Sequence, residues 1–450
     1  MMNTEEILFD QNPWWDDPAA SRRGQQFPRR RELFSAVFGQ LMRFGDRRAS
    51  VVLGPRQVGK TVMLQQIADE LLNQGWPPGN VTYFDFSDDR ITSPGVTARD
   101  VVDVVPRGHK KSKPRIFLLD EIGSSEKWAS WLKQAVDTMD HRIVVTDSAA
   151  SLVRKGGRES GMGRWDEHVL EGLSFQEYLH LQSMEGESLD NALARLPSPL
   201  ERYLSFGGFP EHLQSNSLSD VRRRIRSDVA DKAILRDIQK LGVRQPMKVK
   251  DLFIYLVADS GSIFDLRTRK GDLDADHRSV SDWLGLLEDT LLISRLDPLA
   301  RRKTAKLRGR SLPRIYAADH GLIVAFTSEA DPMADSEVRG KVYEAAVYRH
   351  LRELSRRQEG QLGYFRSDDQ KKEIDFVLRT SKETIAIEVT SSASPGKKPA
   401  KLKNLPGHLK LTSKVLVYGG LKEKRTGGIH QIPIHRFLLN PESILSSGEE

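Results

Sequence analysis

A chain of 450 residues, 38% hydrophobic and 29% charged, has room for about three globular domains. It contains no cysteine, which excludes disulfides and thiolate-held zinc and fits a reducing compartment. The net charge of +7, from 69 basic and 62 acidic residues, is small but gathered into runs at 29–31, 107–115, 222–226, 301–310 and 397–403. Such runs suit either phosphate contacts or solvated faces. No apolar run approaches the roughly 20 residues of a membrane helix. The first six residues, Met1 to Glu6, lack the charged-then-apolar pattern of a leader. A cytoplasmic protein with no membrane contact is the expectation.

Residues 1–48 read as an N-terminal extension, with Asn12-Pro13-Trp14-Trp15 expected to pack on the neighbouring α/β core. Residues 49–180 alternate short apolar strands with helices. The strands are predicted at Val51–Leu53, Val81–Phe86, Ile116–Leu119 and Arg142–Thr146. Met63, Ile67 and Leu71 repeat every four residues and mark one face of the helix after the first strand. This alternation predicts an α/β domain with a parallel sheet. Sheet-like patterning fades after about Leu179, and 181–245 reads as helical. In 246–328, Val249, Leu252, Phe253 and Leu256 mark one helix, and Val280, Trp283, Leu284 and Leu287 a second. A hairpin-like pair comes next, Leu291–Ile293 and Arg314–Ala317, which suggests a winged helix-turn-helix. The segment 329–450 returns to a helix and then strands.

Gly54-Pro55-Arg56-Gln57-Val58-Gly59-Lys60-Thr61 satisfies the complete P-loop pattern, with a strand before it and a helix after it. Its glycines let backbone N–H groups turn toward phosphates. Lys60 is expected to reach the β- and γ-phosphates of ATP and Thr61 to hold magnesium, with the helix pointing its positive end at the same anion. The apolar strand Ile116–Leu119 runs into Asp120-Glu121, at the strand end where open α/β sheets bind ligands. Asp120 is the expected magnesium partner and Glu121 the residue that polarises the attacking water. The strand Arg142–Thr146 ends in Asp147-Ser148, which lie beside Asp120 if the two strands are neighbours. Ser148 is then either a water-positioning residue or a turn residue.

At this point the chain resembles the prokaryotic AAA-type ATPases that carry a C-terminal domain catalogued as DUF4143. The resemblance rests on the P-loop, Leu118–Ile122, Trp128–Leu132 and Thr146–Leu152. It continues through Gly163-Arg164, Leu173–Tyr178, Gly207-Gly208-Phe209-Pro210 and Asp237-Ile238. Ile315–Leu322, Glu373–Val377 and Ile387-Glu388-Val389 complete it. It implies an AAA fold, and subunits that often assemble. It also makes Arg164 a candidate to contact the γ-phosphate of its own or a neighbouring subunit, against a plain surface salt bridge, with Arg158 as competitor. The family has Thr-Gly-Ser where this chain has Thr146-Asp147-Ser148.

In 329–450, Glu373–Leu378 and Thr384–Thr390 alternate around a polar turn, so Asp375 and Glu388 sit at adjacent strands. Glu344 lies on an upstream helix near them in the expected packing. The pattern resembles the restriction-endonuclease-like fold, in which such acids hold a divalent metal and a lysine two positions after the last acid assists. Here that position is Thr390, and nothing in the spacing aims Lys397, Lys398, Lys401 or Lys403 at the acids. Asp375 and Glu388 are therefore expected as a weak metal site without appreciable cleavage of DNA. Three functions remain open: an ATPase that engages DNA through its C-terminal half, an ATP-regulated nuclease, and a protein-binding switch.

Overall fold

The computed structural model describes all residues except 1–3, 21, 44, 46, 92–94, 106–112, 149–162, 183–196, 239–242, 244, 266–274, 300–311, 368–371, 395–397, 404 and 446–450. The chain divides into two units. One is Met1–Glu171 with Arg236–Val243 and Asp289–Leu291, and the other is Gly172–Leu235, Arg244–Glu288 and Leu292–Glu450.

The first unit begins with α1 (Thr4–Gln11) and α2 (Glu32–Leu41). β1 (Ala49–Leu53) is wholly buried, and the P-loop leads from it into α3 (Lys60–Asn73). Met63, Ile67 and Leu71 are buried along one face of α3, as their spacing requires. Then come β2 (Val81–Asp85), α4 (Ala98–Val104), β3 (Arg115–Asp120), α5 (Trp128–Thr138), β4 (His141–Asp147) and β5 (Trp165–Val169). All pairings are parallel, in the order β2-β3-β4-β1-β5. The four expected strands are present. β5 escaped sequence reading because Trp165-Asp166-Glu167-His168-Val169 is half charged, as an edge strand allows.

At the opposite edge, β2 is covered by side chains. Asn12 Nδ2 donates to the Tyr83 carbonyl at 2.8 Å, and its Oδ1 accepts the Tyr83 N–H at 2.7 Å. The indoles of Trp14 and Trp15 both donate to the Val81 carbonyl, at 3.0 and 2.9 Å. Gln11 Oε1 accepts the Asp85 N–H at 2.9 Å. Arg31, also upstream of β1, is buried and donates to the carbonyls of Val58 and Glu171 at 2.8 and 2.9 Å.

The second unit opens with α6 (Phe175–Leu181), α7 (Pro197–Phe206) and α8 (Leu218–Arg224), continued by a π-helical stretch, Ile225–Ile238. α9 (Pro246–Ala258) and α10 (His277–Asp289) precede an antiparallel pair, β6 (Ile293–Leu296) and β7 (Arg314–Ala317). α11 (His320–Phe326) and the long α12 (Ser336–Arg357) follow. Last come β8 (Gln361–Arg366), β9 (Glu373–Arg379), β10 (Thr384–Thr390), α13 (Lys398–Lys403), β11 (Ser413–Tyr418), β12 (Lys424–Thr426), β13 (Ile429–Pro433) and α14 (Ile434–Leu439). They form a mixed six-stranded sheet in the order β12-β13-β11-β10-β9-β8. Tyr316, Tyr348 and Phe376 stack between β7, α12 and β9, with centroids 4.2 and 5.9 Å apart.

Asp319, the residue that caps α11, accounts for two motifs at once. Its carboxylate accepts N–H groups from Gly208 at 3.0 Å and Gly321 at 2.8 Å. A Cβ on Gly172, Gly207 or Gly208 would lie 2.3 to 2.6 Å from its oxygens, so only glycine fits this approach. Gly207-Gly208 and Asp319-His320-Gly321 are thus two halves of one clasp. Asp319→Ala should strand these buried donors and lower stability by about 3 kcal/mol. Urea denaturation measures it, and a loss within the usual surface range of about 0.5 kcal/mol would refute the clasp.

Candidate functional site

The strand order fixes the chemistry of the first unit. β4 lies between the P-loop strand β1 and the acidic strand β3, so their C-terminal ends open side by side. The turn out of β1 requires glycine. A Cβ on Gly54 would lie 2.3 Å from the Leu170 carbonyl, and Gly59 caps α3 at φ 96°. Pro55 and Val58 are buried, Arg56 is half-buried, and Gln57 takes a left-handed φ of 65°. Lys60 is buried at the start of α3. Its ammonium donates to the Gly54 and Pro55 carbonyls at 2.9 and 3.0 Å and stands 3.7 Å from Glu121.

Asp120 ends β3 and is buried. It accepts from Tyr83 Oη at 3.1 Å and from the Thr146 hydroxyl, and it is bonded to Thr61. Burial pushes its pKa up, the Asp85 carboxylate adds to the rise, and Thr146, Thr61 and Lys60 oppose it. Asp85 stands opposite Asp120 in the register of β2 and β3, and burial raises its pKa too. Two carboxylates beside a hydroxyl are a donor set that suits a hard divalent cation. Glu121 takes a left-handed φ of 50°, unusual for a side-chain-bearing residue, which turns it out of the strand line toward Lys60.

Asp147 closes β4 and is buried; its carbonyl accepts the Gly54 N–H at 3.3 Å, so it braces the loop through its backbone. Ser148 follows at the same sheet edge, half-buried. The residue between the two acids of the site is instead Thr146. Its hydroxyl donates to Asp120 and accepts the Glu121 N–H at 3.2 Å. Sequence reading passed over it, although a hydroxyl inside a buried valine strand was the available signal; Asp85, at the end of a predicted strand, was likewise passed over. Thr146→Val keeps the shape and removes both bonds. It should lower ATP turnover about tenfold, equivalent to roughly 1.4 kcal/mol, with nucleotide affinity nearly unchanged. Unaltered kcat would show that Thr146 only packs.

Arg164 lies elsewhere. It immediately precedes β5, at the N-terminal end of the sheet, and pairs with Asp137 at 2.9 Å. Five residues of strand, about 16 Å, separate that edge from the P-loop end. Contact with the γ-phosphate of its own subunit is therefore corrected. Arg158 and the run 301–310 lie outside the described residues.

In the second unit, the hairpin of β9 and β10 brings Asp375 and Glu388 together, with the Asp375 N–H donating to Glu388 Oε1 at 3.3 Å. Glu388 Oε2 lies 2.9 Å from Lys398 and 3.6 Å from Lys401, and Lys398 also donates to Asp375 Oδ2 at 3.1 Å. The expectation that no lysine is aimed here is overturned: the first residue of α13 points its ammonium between the two carboxylates. Glu344 accepts from Tyr316 Oη at 2.7 Å and faces Arg314 at 3.4 Å. Burial and the nearby Asp375 lift its pKa to about 7. Arg314 is buried, also binds Glu373, and stands 3.9 Å from Asp375. Lys398 and Arg314 hold Asp375 below its ordinary range against the rise from burial. Among the described residues no group of three or more histidines or acids is placed to hold a metal.

A β2-β3-β4-β1-β5 parallel sheet, with the P-loop lysine and threonine and two acids at its C-terminal edge, is an AAA-type P-loop fold. Family models agree: residues 46–179 match an AAA domain, and residues 198–332 and 339–437 match domains of unknown function, DUF8612 and DUF4143. The chain thus joins an AAA domain of the P-loop type to DUF8612 and DUF4143 domains.

Among relatives, an uncharacterized protein of Haemophilus influenzae is 26% identical over 63% of this chain and 70% of its own length. One of Methanocaldococcus jannaschii is 24% identical over 88% and 85%. Among solved structures, the RuvB Holliday junction branch migration motor of Thermotoga maritima is 17% identical, covering 58% of this chain and 87% of its own, at a TM-score of 0.28. The ORC2 protein of Aeropyrum pernix is 13% identical over 70% and 97%, at 0.35. Scores this low add nothing to what the strand order establishes. No helix among the described residues is long and apolar enough to cross a membrane.

Proposed function

We propose that this chain binds ATP with magnesium at residues 54–61, hydrolyses it, and couples the cycle to DNA held by its second unit. The observation that carries the first part is the convergence of Lys60, Thr61, Asp120, Glu121 and Thr146 at one sheet edge. ATP supplies the scissile phosphoanhydride, and magnesium the charge that neutralises it as it breaks. The roles of this chain's residues derive from their places. Lys60, resting on two loop carbonyls, exchanges them for phosphate oxygens, while Thr61 and Asp120 present oxygen donors to the cation. Glu121, released from Lys60, orients the attacking water and takes its proton. Ser148, which follows β4, steadies that water.

Arg164, at the far edge of the sheet, serves a neighbouring copy in a homo-oligomer, exchanging Asp137 for the γ-phosphate. Two features support DNA. Helices α9 and α10 followed by the β6–β7 pair keep the order of a winged helix-turn-helix. Basic residues cluster at Arg222–Arg226 and across 301–310.

The test is hydrolysis and duplex binding by the purified chain at increasing salt. Affinity should fall steeply with salt and show little sequence preference. Changing Arg301, Arg302 and Lys303 to Glu should weaken it further. Undiminished affinity in that variant would refute this face, and salt-independent binding would favour a protein-binding switch.

A further inference from the structure

The carboxylates of Asp375 and Glu388 are each fixed on one side by backbone. The Val389 N–H donates to Asp375 Oδ2 at 3.0 Å, and the Asp375 N–H donates to Glu388 Oε1. Their remaining capacity converges on one point, and a cation already stands there: Lys398 Nζ lies 3.1 Å from Asp375 Oδ2 and 2.9 Å from Glu388 Oε2. Glu388 is wholly inaccessible to solvent, and Arg314 is committed to Glu344 and Glu373. Among the described residues only Lys398, with Lys401 at the rim, compensates the Glu388 charge. An ammonium group and a divalent ion compete for the same oxygens, and one excludes the other at this separation.

We infer that Asp375 and Glu388 form a latent divalent-cation site whose cation position is filled by the side chain of Lys398. The lysine is an internal counter-ion. It offsets the charge of both carboxylates, and it denies the metal its place. With the lysine seated, the second unit then binds no manganese or magnesium, and phosphodiester hydrolysis there is closed for want of the ion rather than for want of a lysine. A pair kept for packing alone behaves differently: neutralising the lysine would leave two strained carboxylates with no affinity for metal.

The experiment is manganese binding to the nucleotide-free full chain, read from the free-ion paramagnetic signal. It compares wild type, Lys398→Met, and Lys398→Met combined with Asp375→Asn and Glu388→Gln. Lys398→Met keeps the stem and removes the charge. It should bind one more manganese ion per chain than wild type, and the triple variant should lose it. A Lys398→Met protein with no added site overturns the inference. So does a wild type whose own manganese site is removed by Asp375→Asn. If Lys398→Met is poorly soluble, Lys398→Gln purified with manganese decides the matter. The ion should raise its melting temperature well beyond its effect on wild type, and an equal shift in the two proteins is the contrary result. Because the readout is metal and not ATP turnover or DNA cleavage, failure here leaves the ATPase reading untouched.

Discussion

Glu121→Gln should bind ATP about as tightly as wild type and turn it over at least about a hundredfold more slowly. The amide still fits the left-handed position after β3 and still occupies the space beside Lys60, but it cannot accept a proton from water. Asp120, Thr61 and Thr146 keep their places, so magnesium-dependent binding survives. Lys60→Ala should behave oppositely and lose binding itself, since the buried ammonium facing the loop is gone. The pair is read by nucleotide titration and single-turnover hydrolysis. Wild-type turnover in Glu121→Gln would move the base to another residue. Retained affinity in Lys60→Ala would remove the phosphate role of the lysine.

The second large effect is expected far from the nucleotide. Arg314 is 5% exposed, and its guanidinium meets Glu344 and Glu373, faces Asp375, and lies 5.0 Å over the ring of Tyr364. Arg314→Met fills similar space and leaves these carboxylates without their shared cation. Removing one member of a buried ion network costs about 3–5 kcal/mol. Glu344 and Glu373 are partly exposed, so the lower figure of about 3 kcal/mol is the expectation. Chemical denaturation followed through the C-terminal sheet measures it. A loss below about 1 kcal/mol would mean the acids re-pair with Lys398 or take up protons at no cost. Lysine at 314 should not rescue, because a point charge cannot reproduce a fork that addresses two carboxylates.

Much of the first unit is legible in the sequence because its signals are local. A P-loop is eight consecutive residues, and Ile116–Glu121 states burial and charge in one run. Strand order is not local, and Thr146 became meaningful only once β4 lay between β1 and β3. β5 was missed for the converse reason, since an edge strand carries charge where a central one carries valine. In the second unit, alternation put Asp375 and Glu388 on adjacent strands of a hairpin. It could not place Lys398, which arrives from a helix after a turn whose direction no periodicity encodes. The clasp around Asp319 was visible only as glycines and an acid more than a hundred residues apart.

The cover over β2 has a further consequence. A sheet edge is ordinarily closed by another strand, and undoing it then breaks a whole ladder. Here it is closed by the side chains of Gln11, Asn12, Trp14 and Trp15, which hold its backbone groups one by one. Such a seam can come apart stitch by stitch while the sheet behind it stays folded. Since the Gln11 stitch holds Asp85 and the Asn12 stitches hold Tyr83, whose hydroxyl bonds Asp120, loosening the seam would be felt at Asp120 before it was felt in the fold. The first turns of the chain are in this sense a tension member of the sheet edge that carries Asp85 and Asp120.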